Sequence, residues 1–260
     1  MTTLVPPNST ESEPQFAIDY RAIYQRADEL QQHYLAAQPF PHVLIDDFFP
    51  EATYRQMCAA FPAPDSPIWK TPSNKHTQGK SVTKQGDLGL KEALFNEAQR
   101  RLFMELHSSL FLHFLERLTG VTGLLPDPYF AEGSFALSAS GGFLDIHADF
   151  SHQDRTGLER RVNLLVYLNP DWQESYGGAL KLYSPDLQPL QSIFPYGNRI
   201  AVFTTSPTSF HGFPEPITCP PDVYRRSLNL YYYTLPRAER KKDKILFPAD
   251  PSFRPTVTTD

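Results

Sequence analysis

An α+β chain that is mainly β is the fold class predicted by the 260 residues, and two observations predict it. The first half carries apolar residues at helical spacing, whereas the second carries eight short β-rich runs punctuated by Gly, Pro and Asn. Strands of that number and length suggest a closed antiparallel core, a cupin-like jelly roll or barrel, with the N-terminal helices packed outside it.

Taken in order, residues 1–15 are polar and expected to be a disordered N-terminus. The run from Ala17 to about Gln38 places Ile18, Ala22, Leu30 and Tyr34 at helical spacing and predicts a helix. "FPHVLIDDFFP" reads as a strand-like run bounded by prolines, and "EATYRQMCAAF" as a second helix. Residues 62–90 are rich in Pro, Ser, Lys and Gln and predict a long loop, either a lid or binding element or a surface excursion. From Lys91 to Thr119 the helical pattern returns, with Leu102, Leu106, Leu110, Phe114 and Leu118 as its core stripe.

The β-rich runs follow: "SFALSA", "GGFLDIHADF", "RRVNLLVYLN", "GALKLYS", "LQSIF", "RIAVFTT", "TSFHGF" and "YRRSLNLYYYT". The division is therefore a helical extension with one strand and the long loop over 16–125, a β core over 126–236 and a tail over 237–260. Trp172 and the Gly177-Gly178 pair read as a packing aromatic and a turn.

Net charge is −5 and the pI about 5.9, so no basic stripe offers phosphate neutralisation, and nucleic acid is not an expected partner. Cys58 and Cys219 have no zinc-type spacing and do not form a disulfide framework. No signal-peptide pattern opens the sequence and no apolar run approaches a membrane span, which predicts a soluble cytoplasmic protein with no membrane partner. The oligomeric state is not legible.

The stretch "HADFSHQD" contains His-x-Asp twice, His147/Asp149 and His152/Asp154. Alone the pattern is weak, but its context differs. In "GGFLDIHADF", Leu144, Ile146, Ala148 and Phe150 share one face, while Asp145, His147 and Asp149 share the other. The first pair thus ends an alternating strand, a rigid support for a metal, whereas the second lies in the loop-like "SHQDRTGLER". Of the eight histidines, His211 in "TSFHGF" is the natural third ligand. Two imidazoles and one carboxylate make the facial triad of non-haem Fe(II) sites.

Two other strands repeat the mixed alternation. Val162, Leu164, Val166 and Leu168 alternate with Arg161, Asn163, Leu165 and Tyr167; Arg226, Leu228 and Leu230 alternate with Arg225, Ser227, Asn229 and Tyr231. Such faces suit the lining of a pocket.

From residue 130 to 234 the ordered motifs "HAD", "YLNPDW", "GGALKLY", "RIAVF", "FHGF" and "RRSLNLYYY" resemble the 2-oxoglutarate- and Fe(II)-dependent dioxygenases, in particular the prolyl 4-hydroxylase-like branch. The resemblance implies a double-stranded β-helix, with His147, Asp149 and His211 as iron ligands and catalytic centre. It implies that Arg225 and Ser227, an R-x-S element, hold the distal carboxylate of 2-oxoglutarate, with Tyr167 and Asn163 as further cosubstrate contacts. A planar guanidinium fork fits a carboxylate through two charge-assisted hydrogen bonds. Tyr167 as a packed core aromatic is the plainer alternative.

The implied reaction is hydroxylation of an unactivated C–H bond of a small molecule or an amino-acid or peptidyl substrate. It consumes O2 and 2-oxoglutarate and releases succinate and CO2. Asp145, His152 and Arg155 are candidate substrate contacts; a structural Asp145 and an exposed 152–155 loop are the competing assignments. Two other functions remain open: a cupin-like metal oxygenase independent of 2-oxoglutarate, and a nonenzymatic β-sandwich ligand-binding module.

Overall fold

The computed structural model describes residues 16–66, 68–70, 77–78, 80–82, 95–127, 129 and 133–236. The expected disordered N-terminus, much of the 62–90 loop and the 237–260 tail lie outside the described residues.

Among the described residues four helices precede the β-rich half. Helix α1 spans Tyr20–Ala36 and starts where Asp19 accepts a hydrogen bond from the Ala22 amide. Its buried face is Ile23, Ala27, Leu30 and Tyr34; Ala22, expected on that face, is exposed. Spacings of three and four residues from Leu30 and Tyr34 lead back to Ile23, not to Ala22. Strand β1 (His42–Ile45) and α2 (Glu51–Ala60) follow.

The helical pattern predicted over 91–119 is two helices among the described residues, α3 (Glu97–Leu106) and α4 (Ser109–Thr119). Asn96 and Gln99 close a reciprocal capping box at the start of α3, and Ser108 caps α4 by accepting from Phe111. This second cap restarts the helical phase, so Leu110, expected in the core, is 41% exposed, while Leu102, Leu106, Phe114 and Leu118 are buried.

The chain also forms strands β2 (Trp69–Lys70), β3 (Thr77–Gln78), β4 (Lys80–Val82) and β5 (Leu125–Pro126). All eight runs expected after them are strands: β6 (Ser134–Ser138), β7 (Phe143–His147), β8 (Glu159–Tyr167), β9 (Leu180–Tyr183), β10 (Pro189–Ile193), β11 (Arg199–Thr204), β12 (His211–Phe213) and β13 (Arg225–Thr234).

They assemble as two antiparallel sheets, in place of the expected closed architecture. The larger runs β1-β11-β8-β13-β6-β4-β2, with β5 also on β13; the smaller runs β10-β9-β12-β7-β3. The segment before residue 125 therefore contributes β1, β2 and β4 to the larger sheet as well as helices.

Alternation along the central strands separates two cores. Val162, Leu164, Val166, Ile200, Val202, Leu228 and Leu230 pack with Tyr34, Phe103, Phe111 and Phe114 of the helices. Leu165, Tyr167, Ala201 and Phe203 point the other way, onto Leu180, Leu182, Ile193 and Phe213 of the smaller sheet and its surroundings. Both faces of the larger sheet are thus covered, and burying each such side chain contributes about 1.5–3 kcal/mol. Of the mixed faces identified in the sequence, Asn163, Leu165, Tyr167 and Arg225 point into the space between the sheets, whereas Arg161 is partly exposed beside Glu159.

Candidate active site

The register of the smaller sheet builds the centre of the site. His211, the first residue of β12, stands directly opposite His147, the last of β7. Their rings lie 4.4 Å apart between centroids. Asp149 completes the group: its Oδ1 is 3.6 Å from His147 Nε2, and its Oδ2 is 3.7 Å from His211 Nε2. Ligand atoms of the three residues all lie within 4.8 Å of one another, a span one metal ion could bridge.

Both histidines are set for ligation. His147 Nδ1 is 2.9 Å from the Asp145 carbonyl, and His211 Nδ1 is 3.0 Å from the Ser209 carbonyl. A carbonyl only accepts, so each Nδ1 carries the proton and each Nε2 keeps its lone pair for a metal. Burial pushes His211 below the usual imidazole pKa, against the opposing charge of Asp149, which favours the neutral ligand form. Burial also works to raise the Asp149 carboxyl, but the His147 and His211 rings against it and the Asn163 hydrogen bond outweigh burial and hold the group at about 2.

The strand carrying the first pair is shorter than expected. β7 ends at His147, so Asp149 lies two residues beyond it. Its carboxylate is held by side chains instead. Asn163 Nδ2 donates to Oδ2 at 2.5 Å, and Arg160 Nη1 lies 3.4 Å from Oδ1. Asn163, expected at the cosubstrate, is therefore bonded to the carboxylate of the triad. It sits four residues along β8 from Tyr167, and each residue of a strand advances about 3.3 Å.

Arg160 was missed in the sequence. Plain alternation puts it with Val162 on the helix side. A register shift between β8 and β13 pairs Tyr232 with Val162 but Tyr233 with Arg160. Arg161 is the extra residue, and this bulge turns Arg160 to the inner face. Its guanidinium stacks 4.1 Å over Tyr231 beside Asp149. No periodicity in the sequence marks such a bulge.

Arg225 opens β13, buried at 6% exposure. Its Nε donates to the Gly178 carbonyl at 2.8 Å, and its Nη2 is 3.4 Å from the Tyr167 hydroxyl. The guanidinium also lies over the rings of Phe213 (4.4 Å) and Tyr167 (5.2 Å). Among the described residues no carboxylate pairs with it. Burial pushes its pKa below the usual guanidinium value, with Tyr167 partly opposing. Ser227 is buried and directly opposite Tyr167 in the register. Arg226 points to the helix side, 5.6 Å over Phe61.

Gly178, read as a turn residue, has a second duty. Its φ is +68°, and a Cβ there would lie 3.1 Å from Ile217 Cγ1 and 3.3 Å from Arg225 Cδ. Glycine lets the backbone come close enough for its carbonyl to hold the guanidinium. Trp172 supports this turn by donating to the Gly177 carbonyl at 3.2 Å.

The three candidate substrate residues are not drawn into the triad by their side chains. Asp145 is half-buried on β7 and contributes its carbonyl to His147. His152 is exposed, bonded to Ser151 and bridged to Glu159. Arg155 is exposed and stacks 4.3 Å over Tyr129. The second His-x-Asp pair thus lies in the loop after the triad and takes no part in the metal-type cluster.

These features define the class: a two-sheet antiparallel core with a His-Asp-His group that could hold a metal ion and a buried arginine on the strand that opens at Arg225. Residues 133–233 match the family model of the 2OG-Fe(II) oxygenase superfamily, whose name carries 2-oxoglutarate and Fe(II), and the His-Asp-His group lies within that match and could hold a metal ion. Among curated proteins, prolyl 3-hydroxylase OGFOD1 of Mus musculus is 37% identical over 79 residues, 28% of this chain and 14% of that protein. The Xenopus laevis protein of the same name is 41% identical over 61 residues, 22% of this chain and 12% of that protein. The chain spans only a small part of these relatives.

Among solved structures, a prolyl hydroxylase from Trichoplax adhaerens, in complex with a hypoxia inducible factor oxygen degradation domain peptide fragment, gives a TM-score of 0.57. It is 19% identical and covers 81% of this chain and 91% of that one. HygX from Streptomyces hygroscopicus, bound to nickel, 2-oxoglutarate and hygromycin B, gives 0.52 at 14% identity, covering 78% and 86%. These likenesses are of fold. No helix among the described residues is long and apolar enough to cross a membrane.

Proposed function

We propose that this chain is an Fe(II)- and 2-oxoglutarate-dependent hydroxylase acting on an unactivated C–H bond of a peptidyl substrate, with a prolyl residue as the target. The carrying observation is that one inter-sheet space holds both a triad with two metal-ready Nε2 atoms and a buried arginine with no acidic partner among the described residues. The prolyl target follows from the names of the similar proteins. In this reading the β6–β13 strands form a double-stranded β-helix, residues 126–236 are the catalytic core, and 16–125 are its N-terminal extension. A cytoplasmic location belongs to the same reading, supported by the free thiols of Cys58 and Cys219.

His147, Asp149 and His211 would hold the metal; Arg225, with Tyr167 and Ser227, would hold a carboxylate of 2-oxoglutarate. When bound, iron, 2-oxoglutarate and O2 together supply the oxidation that converts C–H to C–OH with release of succinate and CO2. The chain's own tasks are binding, orientation and exclusion of water. Arg225 offers a preorganised and buried fork, where a charge-assisted bond is stronger than in water. Tyr167, whose hydroxyl lies beside that fork, adds a donor with its proton retained, since burial raises its pKa. Leu165, Leu180, Leu182 and Phe213 form apolar walls. In this reading Arg155, which stacks on Tyr129, would meet a substrate, and Phe150, next to Asp149 and 78% exposed, would join it.

The test is anaerobic addition of Fe(II) and 2-oxoglutarate to purified protein, followed by O2. The expected result is a weak visible charge-transfer band, then succinate, with stimulation by proline-containing peptides. Iron binding with turnover that ignores 2-oxoglutarate would favour the cupin-like oxygenase. Absence of both iron binding and turnover would favour a nonenzymatic binding module.

A further inference from the structure

The two histidines of the triad are fixed by the sheet: they face each other across the β7/β12 ladder, and each Nδ1 is tied to a backbone carbonyl. Asp149 has no such support, because it lies past the end of β7. Its orientation must come from side chains, and the best placed is Asn163, whose Nδ2 is 2.5 Å from Oδ2.

An amide can present either oxygen or nitrogen, so something must fix its sense. Thr205, just past the end of β11, does so: its hydroxyl donates to Asn163 Oδ1 at 3.0 Å. With that oxygen engaged as acceptor, the NH2 group faces Asp149. Thr205 is itself anchored, its backbone amide donating to the Arg161 carbonyl at 2.9 Å. Asn163 is 2% and Thr205 8% exposed, so water does not compete freely for these bonds. Three loosely related places in the chain, the end of β7, the middle of β8 and the end of β11, meet in one directional chain of donors.

We propose that Thr205 and Asn163 are positioning residues for the metal carboxylate, Thr205 acting only through Asn163. The proposal rests on the metal-binding reading above. Hydrogen-bond partners of metal ligands typically contribute 10–100-fold to metal affinity.

The test uses the full chain, metal-free, titrated with Co(II) and read by both affinity and visible d–d spectrum. Asn163→Ala is expected to weaken Co(II) binding by about 10–100-fold and to alter the spectrum. Thr205→Val, which keeps shape and removes the hydroxyl, should weaken binding in the same direction, while Thr205→Ser should restore it. The double variant should be no worse than Asn163→Ala, because the outer residue has nothing left to act through. Wild-type affinity and spectrum in Asn163→Ala, or additive losses in the double variant, overturn the proposal. Should Asn163→Ala fail to fold, equal affinities for Thr205→Val and Thr205→Ser overturn it as well. Failure of the wild type to bind Co(II), by contrast, strikes the metal reading itself.

Discussion

Replacing Arg225 with Met should separate function from stability in opposite directions. The guanidinium is desolvated and has no acidic partner among the described residues, so its burial costs several kcal/mol in the absence of ligand. What offsets that cost is one charge-assisted bond to the Gly178 carbonyl at 2.8 Å and ring contacts at 4.4 and 5.2 Å, which contribute roughly 1–2 kcal/mol each. Met fills similar space without a charge. The metal-free, ligand-free variant should therefore be as stable as wild type or more so by about 1 kcal/mol, raising Tm by roughly 2 °C. Two lost charge-assisted bonds to a carboxylate amount to about 3 kcal/mol or more, roughly a hundredfold rise in the Kd for 2-oxoglutarate. Thermal unfolding with and without 2-oxoglutarate reads both effects, since ligand-linked stabilisation should vanish in the variant. Wild-type 2-oxoglutarate affinity, or a loss of more than about 3 kcal/mol in the unliganded variant, would show that Arg225 is a structural cation and refute the reasoning.

His147→Ala should abolish tight metal binding whereas His152→Ala retains it, measured by Co(II) or Mn(II) titration; the reverse would move the centre to the second His-x-Asp pair. Gly178→Ala combines a left-handed backbone with a Cβ 3.1 Å from Ile217 and 3.3 Å from the Arg225 side chain. It should cost about 1–3 kcal/mol of stability and weaken 2-oxoglutarate binding, with equilibrium unfolding and ligand titration as the assays. In the metal-free protein the Asp149 carboxyl is depressed to about 2, so its stabilisation is full above its ordinary pKa of about 3.9 and is lost as pH falls through 2. The drop in Tm between about pH 5 and about pH 2 should accordingly be larger for wild type than for Asp149→Asn, and parallel curves would contradict the assignment.

The strands were legible because period-two alternation and turn residues mark each one locally, and both faces of the larger sheet turned out to be covered. The triad was legible by residue type and context: His147 and His211 sit on strands, and metal chemistry restricts which side chains can join them. What could not be read depends on relations between strands. Asn163 shares a face with Tyr167, yet the length of β8 carries it to the carboxylate of Asp149. Arg160 reaches Asp149 only through a bulge that no alternation predicts. Gly178 acts through its carbonyl, so its side-chain type reveals only the turn. Leu110 misled because a serine cap, unremarkable in sequence, restarted the helix and rotated the stripe.

That bulge has a genetic consequence. Arg161 is the residue that β13 does not pair, so losing it would bring Arg160 next to Val162, where plain alternation already puts a side chain on the face of Asn163. A chain one residue shorter at this point should therefore keep the guanidinium beside Asp149 without a bulge. The site tolerates a change of length here because the extra residue is already outside the ladder.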